Sequence, residues 1–121
     1  MRMVTIRAIS EGQALDCLEH GEFGTEITAS NDHVAIVLTQ SWCPQWASLQ
    51  HTIERLDEPS LDVWLFIYDR AEIFEKFLEF KEGVFGNDGI PYVRYYRASR
   101  LAGESNFVSK QEFVELATGK A

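Results

Sequence analysis

Val34-Ala35-Ile36-Val37-Leu38-Thr39-Gln40-Ser41-Trp42-Cys43-Pro44-Gln45-Trp46 is the stretch on which the reading of this chain turns. Val34 to Thr39 is a short, nearly unbroken apolar run, the pattern of a strand covered on both faces. Pro44 suits the first turn of a helix, where its missing N–H costs nothing. From there Trp46, Leu49, Ile53 and Leu56 recur at helical spacing, so one face of a helix reaching to about Asp57 is buried. Glu58-Pro59-Ser60 breaks it. Strand, then Trp-Cys-Pro, then helix presents the Cys43 thiol at a helix N-terminus. The unpaired N–H groups and the macrodipole there favour an anion. The thiolate is the nucleophilic form, so Cys43 is expected to ionise below the roughly 8.5 of a free cysteine. Three residues on, where a dithiol site would carry its second cysteine, stands Trp46.

Working outward, Met3 to Ile6 reads as a short strand. Ser10 with Gln13 forms a capping box for a helix that turns Ala14, Leu15 and Leu18 inward and stops near Gly21. Glu22 to Asp32 is polar and irregular, with a small extended piece at Thr25 to Thr28. Leu61 to Tyr68 is a second buried strand, and Ala71 to Lys81 a helix on Ile73, Phe74, Phe77 and Leu78. The glycine-containing loop Gly83 to Gly89 leads to Ile90-Pro91 and a strand over Tyr92 to Arg97. A turn at Ala98 to Leu101 precedes a short strand near Ser105 to Val108. Ser109 with Glu112 caps a last helix with Phe113, Val114, Leu116 and Ala117 inward. The order β-α-β-α-β-α-β-β-α implies an α/β fold with a mixed sheet between helices.

The 121 residues fit one domain, spanning 1–121, and suffice for one core. A hydrophobic content of 45% with 25% charged residues is that of a globular chain. The net charge of −8 repels phosphate backbones and anionic membrane surfaces, so neither nucleic acid nor membrane is an expected partner. Met1-Arg2-Met3-Val4-Thr5-Ile6-Arg7 places arginine where the apolar region of a secretory signal would run, and the expected location is the cytoplasm. Cys17 and Cys43 are too few for a disulfide framework or a structural zinc site. Gly83 to Gly89 matches no phosphate-binding or dinucleotide loop. No cofactor or metal is expected.

With Trp42-Cys43-Pro44 at its strand-to-helix junction, the chain resembles the thioredoxin family over essentially its whole length. Phe85-Gly86-Asn87-Asp88-Gly89-Ile90-Pro91-Tyr92 is similar to the family's loop ending in a cis-proline. Ser109-Lys110-Gln111-Glu112-Phe113 resembles its serine-capped terminal helix. The resemblance implies a thioredoxin fold, with Cys43 as the nucleophile and Pro91 cis. It also implies that the carbonyl and amide of Ile90 face Cys43 and pair with an extended substrate segment. Trp42 would stay partly exposed beside the thiol, and together with Pro44, Tyr92 and Phe85 would line an apolar, peptide-binding rim.

The pattern then departs from that family. Thioredoxins proper use Cys-x-x-Cys, the second cysteine resolving the mixed disulfide formed by the first; Trp46 cannot do this. The position six residues before the nucleophile, acidic and buried in many thioredoxins, is Val37. Losing both together is coherent, because without a second thiol the acid would be only a buried charge. Cys17 lies on an earlier helix, placed by the resemblance on another part of the sheet. A bridge to Cys43 needs Cα atoms within roughly 7 Å, so Cys17 reads as a small core residue. His51 lies roughly 12 Å beyond Cys43 along the helix, too far for a thiolate–imidazolium pair, and His20 and His33 read as solvated.

The expected function is thiol–disulfide chemistry through a mixed disulfide at Cys43, on a protein or small thiol or disulfide, with no internal resolving cysteine. The alternative is a thioredoxin-fold module that docks a partner in the Trp42, Cys43, Ile90-Pro91 cleft without turnover. A monothiol glutaredoxin-like role lacks its Cys-Gly-Phe-Ser type site, and a peroxidase its threonine and arginine. The chain is expected to be a monomer, or a dimer that is either weak or linked by a disulfide through Cys43.

Overall fold

The computed structural model describes residues 4–120. The chain runs β1 (Ile6–Ala8), α1 (Glu11–His20), α2 (Thr25–Thr28), β2 (His33–Thr39), α3 (Pro44–Glu54), β3 (Leu61–Ile67), a 3-10 turn (Tyr68–Arg70), α4 (Phe74–Gly83), β4 (Tyr92–Arg97), β5 (Arg100–Ser105) and α5 (Lys110–Thr118). Its five strands form one mixed sheet in the order β1-β3-β2-β4-β5. β1, β3 and β2 run parallel, while β4 and β5 add antiparallel.

β2 lies at the centre because every residue from Val34 to Thr39 is buried, and only a strand covered on both faces can hold such a run. Its side chains alternate between two cores. Ala35 and Val37 join Val93 and Tyr95 of β4 against Trp46, Leu49 and Ile53 of α3 and Phe113 of α5. Val34, Ile36 and Leu38 join Tyr92 and Tyr96 against Ala14 and Cys17 of α1 and Phe77 of α4. β2 and β3 pair in register from His33↔Leu61 to Thr39↔Ile67. The segments that follow them, 40–43 and 68–70, therefore emerge side by side at one end of the sheet.

The helix ends follow from local chemistry. In α1 the Gln13 N–H donates to Ser10 Oγ at 3.1 Å and the Ser10 N–H to Gln13 Oε1 at 2.8 Å, completing the capping box. Gly21 closes the helix at φ 78°, where a side chain would be strained. In α5 only half the box forms. The Glu112 N–H donates to Ser109 Oγ, but the Glu112 carboxylate accepts from that hydroxyl and not from the backbone.

Several boundaries differ from the sequence reading. The first strand begins at Ile6, within the ladder to β3, rather than spanning Met3 to Ile6; Met3 lies outside the described residues. Leu15 is exposed, since the buried stripe of α1 is Ala14 and Cys17. Thr25 to Thr28 is a helical turn that buries Ile27 and Thr28, not an extended piece. The last strand starts at Arg100, not Ser105, because Ala98 and Ser99 make a tight two-residue hairpin with φ 50° and 66°. That backbone is unusual without glycine. It is held by the Ala98 N–H donating to Asp32 O at 3.0 Å and by a 2.7 Å hydroxyl pair between Ser99 and Thr28.

On the α1–α4 side, Arg94 is 6% exposed and fully engaged. It donates to Tyr96 Oη, Tyr92 Oη and Glu22 Oε2, each at 2.8 Å, and stacks 3.8 Å from the Phe85 ring centre. Tyr96 and Tyr92 in turn donate to Glu22 and Glu104. All four tyrosines are buried, and desolvation raises the pKa of each, to about 12 for Tyr92 and Tyr95. A phenol with a raised native pKa stabilises the fold up to its unfolded value near 10 and loses that contribution as pH climbs through the native value. Phenolate absorbance is therefore expected to be absent at pH 10 and to appear together with loss of near-UV dichroism between about pH 10 and 12. A smooth titration centred on 10 in the folded protein would contradict this packing.

Candidate functional site

The site forms where β2 ends. Cys43 is the N-cap residue of α3, extended at φ −77° and ψ 109°, with Pro44 in the first turn. Its Sγ accepts the Trp46 N–H at 3.4 Å, so the sulfur caps one of the unpaired amides of the helix start. A thiolate in this place meets both an N–H and the positive end of the helix. Cys43 is 6% exposed, whereas Trp42 beside it is 66% exposed and Pro44 and Gln45 face solvent.

Side chains from the 3-10 turn after β3 hold this loop. Asp69, in the 3-10 turn after β3, accepts the Ser41 N–H at 2.8 Å and the Ser41 hydroxyl at 2.6 Å. The Trp42 indole donates to Gln40 Oε1 at 2.7 Å, and the Gln40 amide donates to Tyr68 Oη at 3.3 Å. Gln40, Tyr68 and Asp69 brace the loop that carries Cys43, and the sequence reading does not single them out. A signal does exist: polar residues directly after adjacent parallel strands gather at the carboxyl end of a sheet, where sites form.

Trp46 is 5% exposed and packs into the core cluster that contains Cys43, Val37, Leu49 and Val93. The place of a resolving thiol is thus taken by a core side chain. Val37 is fully buried in the same cluster. Thr39, two residues along the same strand face, carries a buried hydroxyl with no partner among the described residues. No carboxylate stands at either position.

The Ile90-Pro91 peptide is cis. Pro91 is buried, and Ile90 is partly exposed and packs against the cluster that contains Cys43. Tyr92 and Phe85 are not brought to this rim. Tyr92 is fully buried and points to the α1–α4 side, because alternate residues of β4 face opposite ways. Phe85 packs there too, with its ring centre 4.7 Å from that of Phe80. Of the expected rim, Trp42 and Pro44 flank Cys43 in the chain and face solvent, and Ile90 packs against the cluster that contains Cys43.

Cys17 is free, wholly buried, and sits in the other core across the sheet from Cys43. Burial pushes its thiol up to about 12, with Glu22 adding to the shift. It is not placed to resolve a disulfide at Cys43. His51 is exposed and accepts from Arg55 Nε at 3.1 Å. Among the described residues, the group with metal-ligating proximity is Asp16, Glu19 and His20, exposed on α1 and apart from this site. No helix among them is long and apolar enough to cross a membrane.

No protein-family model matches the chain, and no curated protein matches it in sequence. Solved structures do. A mutant thioredoxin of Halobacterium salinarum superposes with a TM-score of 0.68 at 15% identity, covering 98% of this chain and 94% of that one. Thioredoxin O2 of Arabidopsis thaliana in its oxidised state gives 0.65 at 12% identity, covering 93% and 95%. The Trxlp protein of Edwardsiella tarda gives 0.60 at 17% identity, covering 94% and 99%. Identities this low speak for architecture alone, and on that the three agree: the chain has the thioredoxin fold.

Proposed function

We propose that this protein carries out thiol–disulfide exchange through Cys43 alone. The Cys43 thiolate attacks one sulfur of a protein or low-molecular-weight disulfide. A new S–S bond forms as the old one breaks, and the other sulfur departs as a thiolate that takes a proton from solvent. An external thiol then attacks the mixed disulfide and frees Cys43. The observation that carries this reading is Cys43 Sγ at the N-cap of α3, accepting the Trp46 N–H. Trp42, Pro44 and Ile90-Pro91 form the contact surface for the partner. The negative net charge of the chain disfavours nucleic acid and suits a neutral or basic partner.

Alkylation tests the reading directly. In native protein at neutral pH, iodoacetamide is expected to modify Cys43 and to spare Cys17, whose fully buried thiol ionises near 12. Both should react once the chain is unfolded. Modification of Cys17 first would reject the assignment. A native Cys43 slower than the same residue in the unfolded chain would favour a binding module with no turnover.

A further inference from the structure

From the loop that precedes Pro91 we infer that Lys81 is a positioning residue, one that presents the Ile90 backbone to polypeptide disulfides. The inference rests on the reading of Cys43 as the exchanging thiol. Lys81 lies in the last turn of α4, where a lysine ordinarily reaches into solvent and favours the helix dipole. Here it is fully buried. Its ammonium turns inward and donates to the carbonyl of Asn87 at 2.9 Å and to that of Gly89 at 2.7 Å. It also lies 5.6 Å from the Tyr92 ring centre. Desolvation lowers its pKa against the opposing charges of Glu82 and Asp88, so burying this ammonium carries a real cost. An apolar side chain would fill the same space without that cost, but it would leave both carbonyls unheld.

Asn106, just beyond β5, holds the other side of the loop. Its amide donates to the carbonyl of Pro91 at 3.1 Å and to Asn87 Oδ1 at 3.0 Å, and it accepts from Asn87 Nδ2 at 3.1 Å. The fit is close: a Cβ on Gly89 would come within 2.7 Å of Asn106 Nδ2. The carbonyls on either side of Ile90, those of Gly89 and Pro91, are therefore both pinned by side chains. The N–H and C=O of Ile90 itself have no hydrogen-bond partner among the described residues, although the residue is partly buried beside the Cys43 cluster. A peptide unit held on both flanks and left unpaired is a docking edge for another backbone. A small disulfide has no backbone to offer it. Lys81 and Asn106 should therefore govern reaction with polypeptides and leave reaction with small disulfides alone.

The experiment compares two disulfides with a common leaving thiol. One is 2-hydroxyethyl disulfide; the other is an extended peptide whose central cysteine is bonded to 2-mercaptoethanol. Adduct formation on Cys43 is followed by intact mass, which separates the peptide adduct from the mercaptoethanol adduct. For Lys81→Met and for Asn106→Ala the peptide-adduct rate is expected to fall about 10-fold or more, with the small-disulfide rate changed by less than about two-fold. Asn106 is exposed, so its variant carries the test even where Lys81→Met fails to fold. Equal losses on both disulfides, or no loss on either, would overturn the role assigned to Lys81 and leave the Cys43 reading standing. A native protein that forms no adduct with either disulfide would remove both.

Discussion

The Cys43→Ser protein is expected to form no mixed disulfide with any disulfide offered, while keeping its fold and nearly all of its stability. The two halves of that expectation have separate causes. Exchange needs a sulfur nucleophile, and Cys17 cannot supply one from its buried position across the sheet. Stability is kept because Cys43 Sγ already acts as an N-cap acceptor for the Trp46 N–H. Serine is among the best residues for that place, so its hydroxyl takes over the bond, and the change should stay within about 1 kcal/mol in either direction. Intact mass after disulfide treatment and a urea titration read the two outcomes. An adduct that persists in Cys43→Ser would move the chemistry elsewhere in the molecule.

Trp46→Ala is expected to have the largest effect on stability. The indole fills the core between α3 and the sheet, in one cluster with Val37, Cys43, Leu49 and Val93. Truncating a buried Trp to Ala costs about 3–5 kcal/mol through lost transfer energy and the cavity left behind. In a domain of this size that lowers the melting temperature by on the order of 10–20 °C. The residue-46 backbone N–H that Cys43 Sγ caps survives the change, so the thiol should keep its helix-start environment. Scanning calorimetry checks the first claim and the alkylation rate of Cys43 below the transition checks the second. A loss under about 1 kcal/mol would show that Trp46 is a surface-like residue with a role at the site and not in the core.

What can be read in the sequence, and what cannot, follows from the range of the interactions involved. β2 and α3 are legible because their signals are local: an unbroken apolar run, then proline and a helical stripe. So is the position of Cys43 between them. β5 escapes because Arg100 to Ser105 is an edge strand with little apolar alternation, and because its hairpin uses Ala98 and Ser99 in place of the glycine or asparagine such turns usually carry. Leu15 misleads because a leucine next to a buried stripe resembles part of it. Tyr92 suggests the rim through its neighbour Pro91, while the alternation of β4 decides its direction and depends on register. Asp69 and Ser41 are 28 residues apart in sequence, as are Gln40 and Tyr68. Only the pairing of β2 with β3 brings them together. The inward turn of Lys81 leaves one faint signal, its place four residues after Phe77 and seven after Phe74 on the buried stripe. The usual solvent-facing habit of a lysine in a last helical turn outweighs it.

The central claim is that Cys43 captures a disulfide and cannot release it unaided. The direct measurement is to load the native protein with the peptide disulfide, remove excess reagent, and follow the mixed disulfide by non-reducing peptide mapping, first without and then with added thiol. The expected result is a peptide on Cys43 that persists until the external thiol is added and then leaves in full. Spontaneous release with formation of a Cys17–Cys43 disulfide, or the absence of any adduct on Cys43, would contradict it.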